Sequence, residues 1–180
     1  GERLFNEVQQ QTMRELNEPA KGSEWGDGVV EVGREKLDAF LAWLELKLEE
    51  DEDLKLLVYT RFRAELLRTA AEIRRLYPKM DVGLIYGGNK KAERTDAKRL
   101  MDPRTTPQGP ATVLMTSAGA RGLTLTASHT VFRMSRDTSL YLWQQGDDRV
   151  HRPTQVHPVS YFDLCAKGPK GQRTVDSDIL

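Results

Sequence analysis

The sequence predicts an α/β fold, a mainly parallel central sheet flanked by helices on both faces. Three observations carry this reading. Short, almost continuous apolar runs recur along the chain, helix-spaced charged segments separate them, and no apolar run approaches membrane-spanning length. A strand covered on both faces must be apolar throughout, whereas a half-solvated antiparallel strand alternates. At 180 residues the chain suits one domain, with enough core to fold without disulfides or metals.

The elements follow in order. Residues 4–16 place Leu4, Phe5, Val8, Met13 and Leu16 at loosely helical spacing, and "NEPAKGSEWGDG" then reads as a loop broken by Pro19, Gly22, Gly26 and Gly28. Leu37, Phe40, Leu41, Leu44 and Leu48 repeat at i, i+3, i+4 and i+7, so an amphipathic helix is expected there. The carboxylate run "EEDED" after it reads as a solvated loop rather than a metal site. "LKLLVYT" is the first strand, and residues 62–76 form a helix that stops before Pro78. "DVGLIYGG" is a second strand, followed by a charged helix over 92–101. "DPRTTPQGP" is a loop, "ATVLMT" a third strand, "TVFRM" a fourth, residues 139–150 a helix, and "VSYFDL" a fifth strand before a polar tail.

The bulk composition excludes several functions. The apolar fraction is 38%, the charged fraction 30% and the net charge zero, which argues against a wholesale nucleic-acid or membrane coat but leaves local patches open. Cys165 is the single cysteine and reads as a small buried hydrophobe; His129, His151 and His157 are scattered, so no metal site is expected. Without a signal-peptide pattern, the expected compartment is intracellular, cytoplasmic or nuclear in type. The abrupt start at Gly1 is read as that of a piece of a longer protein.

In a parallel sheet, ligands sit beyond the carboxyl ends of the strands. The loops there are "TRF", "YGGNKK", "TSAGARG", "SRDTS" and the tail after "FDL". They concentrate Gly, Thr, Ser and Arg, which present N–H groups, hydroxyls and fixed charge to phosphates. In "QQGDDRVHRPTQ", Gln145, Arg149 and Arg152 are spaced by four and three residues and so share one helical face.

That stretch resembles the sixth motif of superfamily-two helicases and translocases, approximately Q-x-x-D-R-x-H-R-x-x-Q. Gln145, Asp148, Arg149, His151, Arg152 and Gln155 match it. The closest resemblance is to the second RecA-like lobe of the Swi–Snf type of double-stranded DNA translocase, over about residues 31–165. "LMTSAGARGLTLTASHTV" is similar to the fifth motif, with Thr116, Gly119, Gly122, Leu123 and Leu125 at its positions. "IYGGNKKAER" is similar to D-G-S-x-S-x-x-x-R, with Gly87 and Arg94 in place. "LLVYTRF" resembles the fourth motif, a strand ending in a hydroxyl residue, here Thr60, and "GREKLDAFLAWL" resembles the Ser-Gly-Lys-Leu helix before it.

The resemblance implies that Arg149 and Arg152, with Gln145, act catalytically as arginine fingers and their partner. A finger meets the charge on the transferring phosphoryl and is typically worth about 10³ to 10⁵ in rate. It implies ATP contacts at Gly122, Thr124, Gln145, Arg149 and Arg152. It implies nucleic-acid contacts at Thr60, Arg61, Gly87, Gly88, Lys90, Arg94, Thr116, Ser117 and Gly119. The implied partners are double-stranded DNA and the first RecA-like lobe of the same protein, with no membrane. The implied cofactors are ATP and Mg²⁺, both held mainly by that first lobe. The implied division is an extension over 1–30, the lobe over 31–168 and a polar tail over 169–180.

Departures and absences shape the expectation. Tyr86 and Gly88 stand where the family has Asp and Ser, and Arg121 and Thr124 where it has Glu and Asn. "ARGL" is instead like the wording of RNA-unwinding relatives. No G-x-x-x-x-G-K-[ST] phosphate loop and no D-E-x-H occur in these 180 residues, so the chain holds half of an ATPase site and is expected to be inactive alone. A strand-separating helicase lobe and a non-catalytic RecA-like binding module are the alternatives. Trp43, Trp143 and Tyr141 read as packing residues rather than base-stacking platforms.

Overall fold

In the computed structural model the described residues are 33–116, 125–135, 158–168, 171, 172 and 174. The chain divides at Arg34/Glu35, and the fold below is that of the second unit. The expected helices over 4–16 and 139–150 lie outside the described residues.

Helix α1 spans Glu35–Glu50 and buries Leu37, Phe40, Leu41 and Leu44, the stripe read from its spacing. Glu35 and Asp38 in its first turn and Lys47 in its last match the helix dipole. Strand β1 (Lys55–Thr60) follows, then α2 (Arg63–Leu76), β2 (Asp81–Ile85), α3 (Lys91–Leu100), β3 (Ala111–Thr116), β4 (Thr130–Arg133) and β5 (Ser160–Asp163). Each strand falls within a run singled out as apolar.

The five strands form one sheet in the order β2-β3-β1-β4-β5, and every pairing is parallel. Alternate residues of each strand point to opposite faces, so the sheet feeds two cores. On one face Leu56, Val58, Leu114 and Phe132 pack under α1 and α2, against Phe40, Leu44, Leu66, Ala70 and Ile73. On the other, Leu57, Val113, Met115, Ile85 and Val131 pack with Ala97 and Met101, from α3 and its end, and with Leu125. Helices on both sides explain why the strands had to be apolar throughout.

Trp43 lies within ring-centroid distances of 4.5 Å of Phe132 and 4.9 Å of Phe162, so it packs α1 onto β4 and β5. The acidic run has a structural job as well. Asp53 accepts the Lys55 ammonium at 2.9 Å and the Gly109 N–H at 2.7 Å, tying the start of β1 to the approach to β3. The Lys55 hydrogen bond holds the Asp53 carboxyl below the usual carboxylate range. Cys165 is half-buried rather than fully enclosed. On the outer edge of the sheet, Arg74 Nη2 donates to the Val82 carbonyl at 3.2 Å, covering part of the unpaired side of β2.

Close approach of α3 to the sheet depends on Gly83. A Cβ there would lie 2.8 Å from Ala97 Cα and 2.8 Å from Ala97 Cβ. Glycine at that strand position therefore lets the helix backbone come down onto the sheet and places the start of α3 at the rim.

Candidate nucleic-acid interface

The chain leaves β1 toward β2 on one side of the sheet and leaves β4 toward β5 on the other. The strand order therefore reverses between the neighbours β1 and β4, and the carboxyl ends at such a switch point are where open parallel sheets bind ligands. On its other side β1 pairs with β3, with Thr60 opposite Thr116. The carboxyl ends of β1, β2, β3 and β4 thus lie on one rim.

Two polar links hold this rim together. The Arg61 N–H donates to Ser135 Oγ at 2.7 Å, bridging β1 and β4, and the Ser135 hydroxyl donates to Glu65 Oε2. The backbone N–H groups of Arg61 and Phe62 also face the Glu65 carboxylate, as does Lys36. Phe62 is the N-cap of α2, so Glu65 sits at the third helical position, where a carboxylate reaches back to satisfy first-turn donors. Burial pushes the Glu65 carboxyl up, opposed by the Ser135 hydroxyl, Lys36 and the two N–H groups. Glu65 and Ser135 were not singled out from sequence; the spacing from Phe62 to Glu65 is the one local signal that could have found the first.

The predicted contact residues fall on this rim in different states. Thr60 is 2% exposed and its Oγ1 donates to the Phe62 carbonyl at 3.4 Å, so its hydroxyl holds the turn after β1. Thr116 beside it is 8% exposed. Arg61 is exposed, and its guanidinium lies 5.3 Å from the centre of the Phe62 ring. Arg63, next along, lies 4.9 Å from the centre of the Tyr86 ring. That contact joins the loop after β1 to the loop after β2.

Tyr86 to Asn89 form a tight turn closed by the Asn89 N–H donating to the Tyr86 carbonyl at 3.4 Å. Gly88 takes φ +100°, a left-handed value that strains other residues. Around Gly87 a side chain would meet nothing within 4 Å, so the turn presents bare backbone. Asn89 Oδ1 accepts the Tyr86 N–H at 2.6 Å, and Asn89 Nδ2 donates to Glu93 at 3.1 Å. Glu93 also accepts the Lys90 N–H at 3.2 Å, closing the first turn of α3. The Asn89 hydrogen bond is the main reason the Glu93 carboxyl titrates low. Lys90 and Lys91 are exposed at this helix start, and Arg94 is half-buried one turn on. The two positions at which this turn departs from the family motif, Tyr86 and Gly88, thus anchor Arg63 and supply the left-handed backbone.

Other arginines are spoken for elsewhere. Arg133 is 8% exposed, pairs with Asp163 at 3.3 Å and lies 4.6 Å from the centre of the Tyr161 ring. Arg104 pairs with Asp102 at 2.9 Å. Ser117, Gly119, Gly122, Thr124, Gln145, Arg149 and Arg152 lie outside the described residues. Among the described residues no group of three or more His, Cys, Asp or Glu is placed to hold a metal ion.

Residues 35–154 match the family described as helicase conserved C-terminal domain. A stretch of 69 residues, 38% of this chain, is 39% identical to Protein CHROMATIN REMODELING 19 of Arabidopsis thaliana and spans 8% of that protein. Among solved structures, the chain is similar to the Mss116p DEAD-box helicase domain 2 bound to an RNA duplex. There the TM-score is 0.61 at 16% identity, over 73% of this chain and 50% of that one. It is also similar to the C-terminal part of the Fun30 ATPase domain, with TM-score 0.60 at 18% identity, over 88% of this chain and 46% of that one. The chain therefore spans half or less of the length of each of these relatives. Identities this low speak for the fold, and the family match speaks for the lineage. The chain belongs to the helicase conserved C-terminal domain family, folded as a RecA-like lobe and similar to the Swi–Snf type.

Proposed function

We propose that this chain is the second motor lobe of an ATP-dependent DNA translocase or helicase. It closes on a first lobe that binds ATP and Mg²⁺, presents Arg149, Arg152 and Gln145 to the nucleotide together with Gly122 and Thr124, and grips DNA backbone along the rim of its sheet. The lobe comprises residues 31–168, with 1–30 as an extension and 169–180 as a tail, and works in an intracellular, nuclear-type setting.

The observation that carries this reading is the rim itself. The bare Gly87-Gly88 turn, the start of α3 with Lys90, and the carboxyl ends of β1 and β4 lie at one end of a parallel sheet. Bare backbone at a glycine turn and exposed lysines beside it are what a phosphate backbone needs. Ser117 and Gly119 extend the same loop system in sequence. Without a phosphate loop this chain cannot hold ATP for turnover, and loss and regain of closure would drive stepping.

The test uses two preparations. For the 180-residue chain, binding to a duplex oligonucleotide is followed by anisotropy from low to high salt. Lys90→Ala should weaken binding and lower the salt slope by about 0.9. In the full-length protein, Arg149→Ala should cut ATP turnover by about 10³ to 10⁵ while leaving DNA binding near wild type. Turnover spared and binding lost would instead identify a non-catalytic nucleic-acid module.

A further inference from the structure

We propose that Phe62 is a stacking platform for an unpaired nucleobase, so that the rim holds bases as well as backbone. This rests on the nucleic-acid reading above and deepens it.

Phe62 is 58% exposed, whereas Phe40 and Phe132 are 0% and 3% exposed. It also occupies the N-cap of α2, where no side-chain cap hydrogen bond is made. Ser, Thr, Asp or Asn at that position would stabilise the helix, so phenylalanine forfeits a cap and leaves an aromatic ring in water. Folding is served by neither. The ring's surroundings say what would be. Arg61 lies 5.3 Å from its centre, Arg63 follows it in sequence, and the turn held by Glu65 and Ser135 fixes the loop that carries it.

A water-exposed aromatic ring with a guanidinium group beside it is the complement of a nucleotide, whose flat base is tethered to an anion. An apolar protein surface fits less well. Covering Phe62 with it would desolvate Arg61 without bringing it a counter-charge. Among the described residues the other exposed large apolar side chains have no such setting: Leu46 lies on α1, and Leu76 ends α2 at the opposite end from Phe62. A paired base in a duplex interior cannot offer its face, so the lobe would prefer a single strand or the unpaired arm of a fork at this point.

The experiment compares the 180-residue chain on a single-stranded oligonucleotide carrying 2-aminopurine and on a blunt duplex of the same length. Wild type should bind both and change the 2-aminopurine emission on the single strand. Phe62→Ala should weaken single-strand binding by about 5- to 150-fold and abolish the emission change. Phe62→Leu, which keeps apolar bulk, should behave like alanine, whereas Phe62→Trp should retain the affinity. Duplex affinity should move little in all three, and thermal melts of these exposed-site variants check that each is folded. Binding by wild type that Phe62→Ala leaves unchanged overturns the platform and leaves the backbone grip standing. Leucine matching phenylalanine also overturns it, because the contact would then be apolar packing. Loss of ATP turnover in the full-length Phe62→Ala protein with single-strand affinity intact assigns the ring to the other lobe instead. Failure of wild type to bind either nucleic acid overturns the functional reading and this inference together.

Discussion

Replacing Gly83 by alanine should lift α3 from the sheet. The new methyl would lie 2.8 Å from both Ala97 Cα and Ala97 Cβ and 3.1 Å from Leu100 Cδ1. Carbon atoms pack at about 3.5 to 4.0 Å, so a gap of roughly 1 Å must open along a helix whose Ala97 is 1% exposed. Overpacking of this kind costs about 1 to 3 kcal/mol. At about 1.4 kcal/mol per factor of ten, the folding constant falls roughly 5- to 150-fold. For a domain of this size each kcal/mol lowers Tm by about 2 to 4 °C, which gives a drop of roughly 2 to 12 °C.

Urea and thermal denaturation followed by circular dichroism measure it directly. The same shift displaces the turn before α3 and Lys90, so duplex affinity should fall as well. Ala97→Gly in the Gly83→Ala background removes the contact with Ala97 Cβ but leaves the one with its Cα. It also adds about 1 kcal/mol for glycine inside a helix, so the double variant should stay below wild type. Stability of Gly83→Ala within about 0.5 kcal/mol of wild type would refute the account of why glycine is there.

Two titrations test the electrostatics. Burial raises the folded-state pKa of Glu65, so its contribution to stability is fullest below the ordinary glutamate range and is lost as pH rises through the raised value. The stability of wild type relative to Glu65→Gln should therefore be higher at pH 4 than at pH 7, and urea melts showing the reverse order would contradict the burial argument. Asp102 is held at about 2 by the Arg104 side chain and then by its backbone N–H. Arg104→Ala should move the Asp102 carboxyl back up toward the usual range in a carbon-detected NMR titration, and an unmoved midpoint would show that the guanidinium is not the cause.

The strands and helices were legible because their information is local. Leu37, Phe40, Leu41 and Leu44 announce a helical face by spacing alone, and "LKLLVYT" and "ATVLMT" announce strands covered on both sides by unbroken apolarity. Boundaries moved by a residue or so: α3 starts at Lys91 rather than 92, and β4 and β5 are shorter at their ends than the apolar runs that contain them. The family motifs were legible for the same reason, as fixed short spacings.

What sequence could not supply is which distant residues meet. Ser135 stands 74 positions from Arg61 and 70 from Glu65, yet the three close the rim, because β4 rather than β2 became the neighbour of β1. Arg63 found Tyr86 across two loops, and Arg133 was taken up by Asp163 through the parallel register of β4 and β5. Thr60 looked like a free hydroxyl at a strand end; only the packing shows it turned onto its own loop at the Phe62 carbonyl. The chain's own letters determined the period of each element, the two-sided sheet and the lineage. Tertiary structure alone decided strand order, the exposure of Phe62 and the partners of each charge. Those depend on pairings between far-separated segments, chosen by the packing of the whole sheet rather than by the residues alongside.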